Sequence, residues 1–233
     1  MSAHLAEILV IGAGMAGLAC AERLQQAGRK VMLLDKGRGP GGRMATRRVD
    51  LGLQQVSFDH GTQYVTAEDP RFAAELARWQ AEGWAARWEA AGPHAVIGLP
   101  GMNGILRRIA EPLDVRWGVR ADMVKRSAGR WHVNAGDAHY AAELLLVAIP
   151  AEQAAALLEQ VAPAFASLAG GVSSAPCWAM MAAFAAPLAI GDDVLRNPSR
   201  DIAWAARNSA KPGRGGAEAW VIHASAQRTE ALI

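Results

Sequence analysis

The chain has 233 residues, 52% hydrophobic and 20% charged, with 24 glycines, 11 prolines and 2 cysteines. That length buries roughly 70–75% of the unfolded surface, and the composition excludes a disordered chain and a disulfide scaffold. A formal charge of +2 gives no pull toward nucleic acid. Cys20 and Cys177 lie far apart, with no Cys-x-x-Cys and no histidine at ligand spacing, so no metal site is expected and the reducing cytosol is the expected compartment.

The opening MSAHLAEILVIGAGMAGLAC has an apolar run but no Lys or Arg before Arg23, so the basic head of an export signal is missing. Gly17-Leu18-Ala19-Cys20 resembles a lipoprotein cleavage site only in part, because glycine stands where an aliphatic residue is required. Glu7 to Ile11 predicts a short apolar strand, Met15 to Ala27 a helix ended by Gly28, and Lys30 to Leu34 a second strand ending at Asp35. This β-α-β order implies a right-handed crossover and a parallel sheet. A loop rich in Gly and Arg is expected from Gly37 to Arg48, and one or two amphipathic helices from Phe72 to Glu89, with Trp79, Trp84 and Trp88 serving as packing.

Gly101 to Ala110 predicts a helix with Ile105, Leu106 and Ile109 on one face, and Val115 to Val133 a hairpin turning near Ser127–Gly129. Leu144 to Ile149 is a strongly apolar strand, stopped by Pro150 and followed by a helix. The stretch from Gln160 to Gly191 is uncharged, yet Pro163, Gly170, Gly171, Pro176 and Pro187 break it. A buried strand at CWAMMAAFA, preceded by a loop, fits it better than a membrane span. Strands at 176–185 and 219–225 close the reading.

The chemistry concentrates at Gly12-x-Gly14-x-x-Gly17, which sits between the first strand and first helix. Gly12 permits the tight turn, Gly14 lets the backbone approach a pyrophosphate, and Gly17 lets helix and strand pack closely. The helix N-terminus adds free N–H groups and a positive dipole end. Asp35 is placed to accept hydrogen bonds from a ribose, which disfavours NADP and leaves NAD and FAD open. The following Gly41, Gly42 and Arg43 stand where a chain re-crosses the pyrophosphate. Arg38, Arg43, Arg47 and Arg48 lack the interleaved aromatics of a nucleic-acid surface. The loop is no ATP-binding P-loop, because Gly42 is followed by Arg43-Met44 rather than Lys-Ser/Thr.

GAGMAG at 12–17, LLDKGRGPGGRMATRR at 33–48 and FDHGTQYVT at 58–66 together resemble the flavin-containing amine oxidase superfamily, and its renalase-like bacterial members most closely. LLLVAIPAEQAAALL at 144–158, CWAMMAAFAAPL at 177–188, ARNSAKPGR at 206–214 and AWVIHAS at 219–225 extend the resemblance. It implies noncovalent FAD and an α/β fold, in which a Rossmann-like FAD domain (1–66 and 95–160) carries a discontinuous α+β substrate domain (67–94 and 161–233). By position, Gly12, Gly14, Met15, Ala16 and Gly17 would hold the pyrophosphate, and Asp35 and Lys36 the ribose. Gly42, Arg43 and Met44 would line phosphate and flavin, Gln63 and Tyr64 would approach the isoalloxazine, and Ala148 and Pro150 would border the adenine half. Ala121 stands where many members place a valine against adenine.

Asn208 and His223 match the polar residues that orient substrate above the flavin. From the residues alone, His223 inside an apolar strand reads more readily as a core histidine, and His60 beside Asp59 as part of a glycine-flanked turn. The resemblance implies hydride transfer from a dihydronicotinamide dinucleotide isomer to the flavin, with oxygen as acceptor and peroxide as product. An amine oxidase or desaturase of the same superfamily, and an inactive flavin-binding remnant, are the alternatives. The related proteins continue for roughly a hundred residues more, so a truncated chain with impaired FAD retention is a further expectation. There is no Gly-x-Ser-x-Gly and no His-Glu-x-x-His, so hydrolase and metalloprotease chemistry have no support.

Overall fold

A computed structural model describes residues 4–52 and 54–233. In chain order the elements are β1 (His4–Ile11), α1 (Met15–Gln26), β2 (Val31–Asp35), β3 (Thr46–Asp50), β4 (Gln55–Asp59), α2 (Pro70–Ala81), β5 (Ala85–Arg87), β6 (Val96–Gly98) and α3 (Asn103–Ala110). Then come β7 (Asp114–Trp117), β8 (Met123–Ser127), β9 (Arg130–Ala135), β10 (Ala138–Val147), α4 (Ala151–Leu158) and α5 (Pro163–Gly170). The last are β11 (Ala179–Phe184), β12 (Val194–Arg196), β13 (Ile202–Arg207), β14 (Glu218–Ala224) and α6 (Ala226–Glu230). The fold is α/β. It forms two compact units, residues 1–42 with 106–174 and residues 43–105 with 175–233.

The first unit is built on a six-stranded sheet in the order β7-β2-β1-β10-β9-β8. β7, β2, β1 and β10 run parallel, as the β-α-β reading requires, and β9 and β8 add an antiparallel ribbon. Ile8 to Ile11 and Leu33 to Leu34 are buried, which suits a central strand covered on both faces. The hairpin between β8 and β9 turns at Ala128 and Gly129, both with positive φ, the backbone that a two-residue turn demands. Val124, Val133, Tyr140 and Ala142 pack with Leu9, Ile11 and Leu34 in one apolar cluster.

The second unit holds a four-stranded antiparallel sheet, β11-β14-β13-β12, with the ribbons β3-β4 and β5-β6. Val56 and Phe58 of β4 pack on Ala219 and Val221 of β14, so the β3-β4 ribbon belongs with this sheet. The compact units therefore divide the chain differently from the expected 1–66 and 95–160 against 67–94 and 161–233.

Several elements differ from the sequence reading for local reasons. The expected Gly/Arg loop gives way to β3 at Thr46, because Thr46 to Asp50 finds an antiparallel partner in β4. The tryptophan-rich helix stops at Ala81; Gly83 takes φ +71°, and Ala85–Arg87 pairs with β6 instead. Trp79 and Trp88 are core residues, as expected. The segment before CWAMMAAFA contains α5, started by Pro163 at its first turn. The strand itself is not buried. Trp178 and Met180 are more than half exposed.

Candidate functional site

In the first unit, β1 delivers the chain into a turn that only glycine can make. Gly12 has φ +102°, and a Cβ there would lie 2.5 Å from the Ala148 carbonyl oxygen. A Cβ on Gly17 would lie 1.9 Å from the Gly12 carbonyl oxygen, so α1 can cross β1 this closely only without a side chain. Gly14, the N-cap of α1, faces open space, and its helix carries no side-chain cap and no acidic residue in the first turn. Gly42 arrives opposite with φ +54°, its Cβ direction 3.8 Å from the Gly14 Cα. The result is a backbone cradle with uncapped N–H donors at the positive end of a helix.

Asp35 fixes this cradle. Its carboxylate accepts hydrogen bonds from the N–H of Ala13 at 2.7 Å and of Gly37 at 2.7 Å. Lys36 is exposed and donates to Gln153 on α4 at 3.0 Å. Ala148 is tied to the end of β1 through its N–H and the Ile11 carbonyl at 2.8 Å, and Pro150 caps α4. Met15 and Ala16 open α1 beside Gly14 and Gly17. The structure thus brings Gly12, Gly14, Met15, Ala16, Gly17, Asp35, Gly42 and Ala148 to one end of the parallel sheet.

In the second unit, Arg43 is exposed and Met44 buried in a 3₁₀ turn at Gly42–Met44. The Arg43 carbonyl accepts from the N–H of Thr62 at 2.9 Å and its hydroxyl at 3.1 Å. A Cβ on Gly61 would lie 2.2 Å from that same carbonyl oxygen, so the turn needs a glycine the sequence reading passed over. Gln63 is buried and fully committed: its amide N–H groups donate to the carbonyls of Asp59 and, at 3.1 Å, of Gly61.

Beneath this turn lies a buried charge cluster. Asp59 and Lys211 have fully buried side chains, and that of Arg214 is 1% exposed. Asp59 accepts from Arg214 at 2.6 Å, Lys211 at 3.3 Å, the Met102 N–H at 2.9 Å and the Thr46 hydroxyl at 2.7 Å. Burial alone would raise its pKa, but the two cations and these hydrogen bonds hold it below the ordinary value. Burial pushes Lys211 down to about 8, against the pull of Asp59 and with the push of Arg214. Its ammonium also donates to the side-chain and main-chain oxygens of Gln63, at 3.2 and 3.3 Å. Asp59 therefore pairs with Lys211 and Arg214 rather than with His60.

The two expected substrate-orienting residues separate here. Asn208 is 0% exposed: its Oδ1 accepts from the Asp59 N–H at 3.3 Å, and its Nδ2 donates to the Ser57 carbonyl at 2.7 Å. It staples β4 to the 3₁₀ turn after β13 through both ends of its amide. His223 is partly exposed, and its Nε2 lies 2.9 Å from the His60 carbonyl, so that nitrogen carries the proton and Nδ1 is left as an acceptor. Burial lowers its pKa, the His60 carbonyl works against this, and Lys211 and His60 reinforce it, so the ring is neutral near pH 7.

Residues 10–79 match the model of the NAD(P)-binding Rossmann-like domain. Among solved structures, putrescine oxidase bound to putrescine aligns over 99% of this chain and 78% of its own, with TM-score 0.67 and 15% identity. Cyclohexylamine oxidase from Brevibacterium oxydans IH-35A aligns over 97% and 77%, with TM-score 0.71 and 12% identity. The chain shares the fold of these amine oxidases. Lys211 and Arg214 are the members of the charge cluster that sequence reading missed. Only the nearness of Lys211 and Arg214 to Asn208 in ARNSAKPGR marked them. No helix among the described residues is long and apolar enough to cross a membrane.

Proposed function

We propose that this chain is an FAD-dependent oxidoreductase of the renalase-like type, which takes a hydride from a dihydronicotinamide dinucleotide isomer. The observation that carries the reading is the Gly12–Gly14–Gly17 cradle faced by Gly42: an uncapped helix start with open space where a Cβ would stand. A pyrophosphate supplies the acceptors these N–H donors lack. Gly12, Gly14, Met15, Ala16 and Gly17 would hold it, Asp35 and Lys36 the adenosine ribose, and Ala148 and Pro150 the adenine side. Arg43 and Met44 would meet phosphate and flavin, and Gln63 and Tyr64 the ring. Since the Gln63 side chain is engaged by Asp59, Gly61 and Lys211, its part is to hold the turn that presents Tyr64.

When bound, FAD supplies a two-electron acceptor that oxygen can reoxidise with release of peroxide. The chain's own work is orientation and exclusion of water. A neutral His223, donating at Nε2 to His60, offers Nδ1 to a substrate N–H or O–H without taking part in proton transfer. The compartment proposed with this activity is the reducing cytosol, where free thiols such as Cys20 and Cys177 persist. The second reading is an amine oxidase, favoured by the fold shared with putrescine and cyclohexylamine oxidases.

The test is the absorbance spectrum of the purified chain before and after FAD is added. Bands near ~375 and ~450 nm that co-elute with protein are the expected result. A colourless, FAD-indifferent protein would leave only the remnant reading.

A further inference from the structure

We propose that His132 and His139 form a two-histidine site for one divalent late transition-metal ion, of the nickel or copper kind, on the β8-β9-β10 ribbon of the first unit. The proposal stands apart from the flavin reading and from the glycine cradle.

Strand alternation sends Val124, Val133, Tyr140 and Ala142 into the apolar cluster of that unit. Lys125, His132 and His139, each next to one of them, therefore point to the opposite face. Ala141 pairs with His132 and Asn134 with His139, so the two histidines are diagonal neighbours on adjacent strands. His132 Nδ1 lies 3.0 Å from His139 Nε2, with the rings inclined at 77°. His132 Nε2 lies 3.2 Å from the Ser127 carbonyl oxygen at the hairpin turn. A carbonyl only accepts, so in the neutral ring Nε2 carries the proton and Nδ1 a lone pair. Metal-binding histidines are commonly held this way, the second nitrogen donating to a carbonyl that fixes tautomer and ring. The seven-residue separation hides the pair in the sequence, because it closes only when β9 and β10 align.

Two nitrogens 3.0 Å apart, each about 2.1 Å from a common ion, subtend about 90° there. That is the cis angle of square-planar or octahedral coordination, which nickel and copper take with imidazole. Tetrahedral zinc would need the nitrogens about 3.4 Å apart. Imidazole rings turn in broad wells about χ2, so both lone pairs can meet at one point. On binding, the His139 proton moves from Nε2 to Nδ1, the other tautomer of the neutral ring, and no net proton is released. Water completes the shell, since among the described residues no third His, Cys, Asp or Glu joins the pair. Two protein ligands make an exchangeable site rather than a structural one. Lys125, exposed on β8 as the register partner of His132, supplies the opposing charge. Arg130 and Glu143, toward the hairpin end, lie 3.8 Å from each other and offset.

The experiment is calorimetric titration of the untagged chain with nickel chloride at about neutral pH, where unperturbed imidazole is mostly deprotonated, with thermal unfolding as a second readout. One ion per chain is expected, and the unfolding midpoint should rise as nickel is added. H132Q and H139Q should each weaken binding by roughly tenfold or more and lose that rise. H139Q keeps the Ser127 bond, so its loss reads the ligand rather than the hairpin. H94Q, which removes an exposed histidine of the second unit, should bind as wild type. K125Q should tighten binding, because the cation opposite His132 is gone. Nickel binding that survives both H132Q and H139Q, or a wild-type chain that takes up no nickel, would overturn the inference.

Discussion

The two compact units reach specificity by opposite means. The cradle of the first is backbone: glycines at 12, 14, 17 and 42, uncapped N–H groups, and one carboxylate, Asp35, that braces the turn. The corresponding region of the second is side chain: Asp59, Lys211, Arg214, Gln63 and Asn208, with buried side chains bonded to one another and to nearby main chain. A backbone site tolerates changes around it but no added Cβ within it. A buried charge cluster tolerates neither the loss of a partner nor a change in charge.

The largest effect is therefore expected at Asp59. Asp59→Asn would leave Lys211 and Arg214 as buried cations without their counter-charge, at a cost of about 3–5 kcal/mol in chemical denaturation. If the variant matched wild type, the cluster would not be the keystone of its unit. Next comes Gly17→Ala. The new methyl would meet the Gly12 carbonyl, costing about 1–3 kcal/mol in overpacking. It should also empty the protein of flavin, which absorbance of the purified variant would read directly.

Asn208→Ala removes partners from the Asp59 N–H and the Ser57 carbonyl, at about 1–3 kcal/mol. A stable N208A protein that had lost substrate affinity would speak for a substrate-orienting role instead of a structural one. The smallest effect is a slope. Unfolded Lys211 keeps its proton to 10.5, whereas the folded residue gives it up near 8. Between those values the unfolded state binds more protons, so Lys211 makes stability rise with pH. Lys211→Met should abolish that contribution in denaturation curves at pH 8 and 10, yet destabilise less than Asp59→Asn, because Arg214 still pairs with Asp59.

The same contrast explains what could be read from the sequence. Gly12, Gly14, Gly17 and Asp35 lie on one strand-helix-strand unit, so spacing alone announces their geometry, and β1, α1 and β2 fall within a few residues of expectation. The charge cluster has no such signature. Asp59 looked like a turn residue beside His60, and its partners lie far along the chain. Asn208 fitted the family pattern in type and position, but nothing local to ARNSAKPGR could reveal that both ends of its amide face the main chain of β4. CWAMMAAFA was apolar enough to predict a strand. Burial depends on what packs against it, and Trp178 and Met180 find no cover.

The Asp59 cluster also bears on how the chain leaves the ribosome. Asp59 bonds to Lys211 and Arg214 at separations of 152 and 155 residues. A nascent chain meanwhile carries β4 as an open ribbon, with Val56 and Phe58 waiting for Ala219 and Val221 of β14. Both the carboxylate and the apolar face of β4 are therefore completed only by contacts of long sequence separation, which form late and slowly.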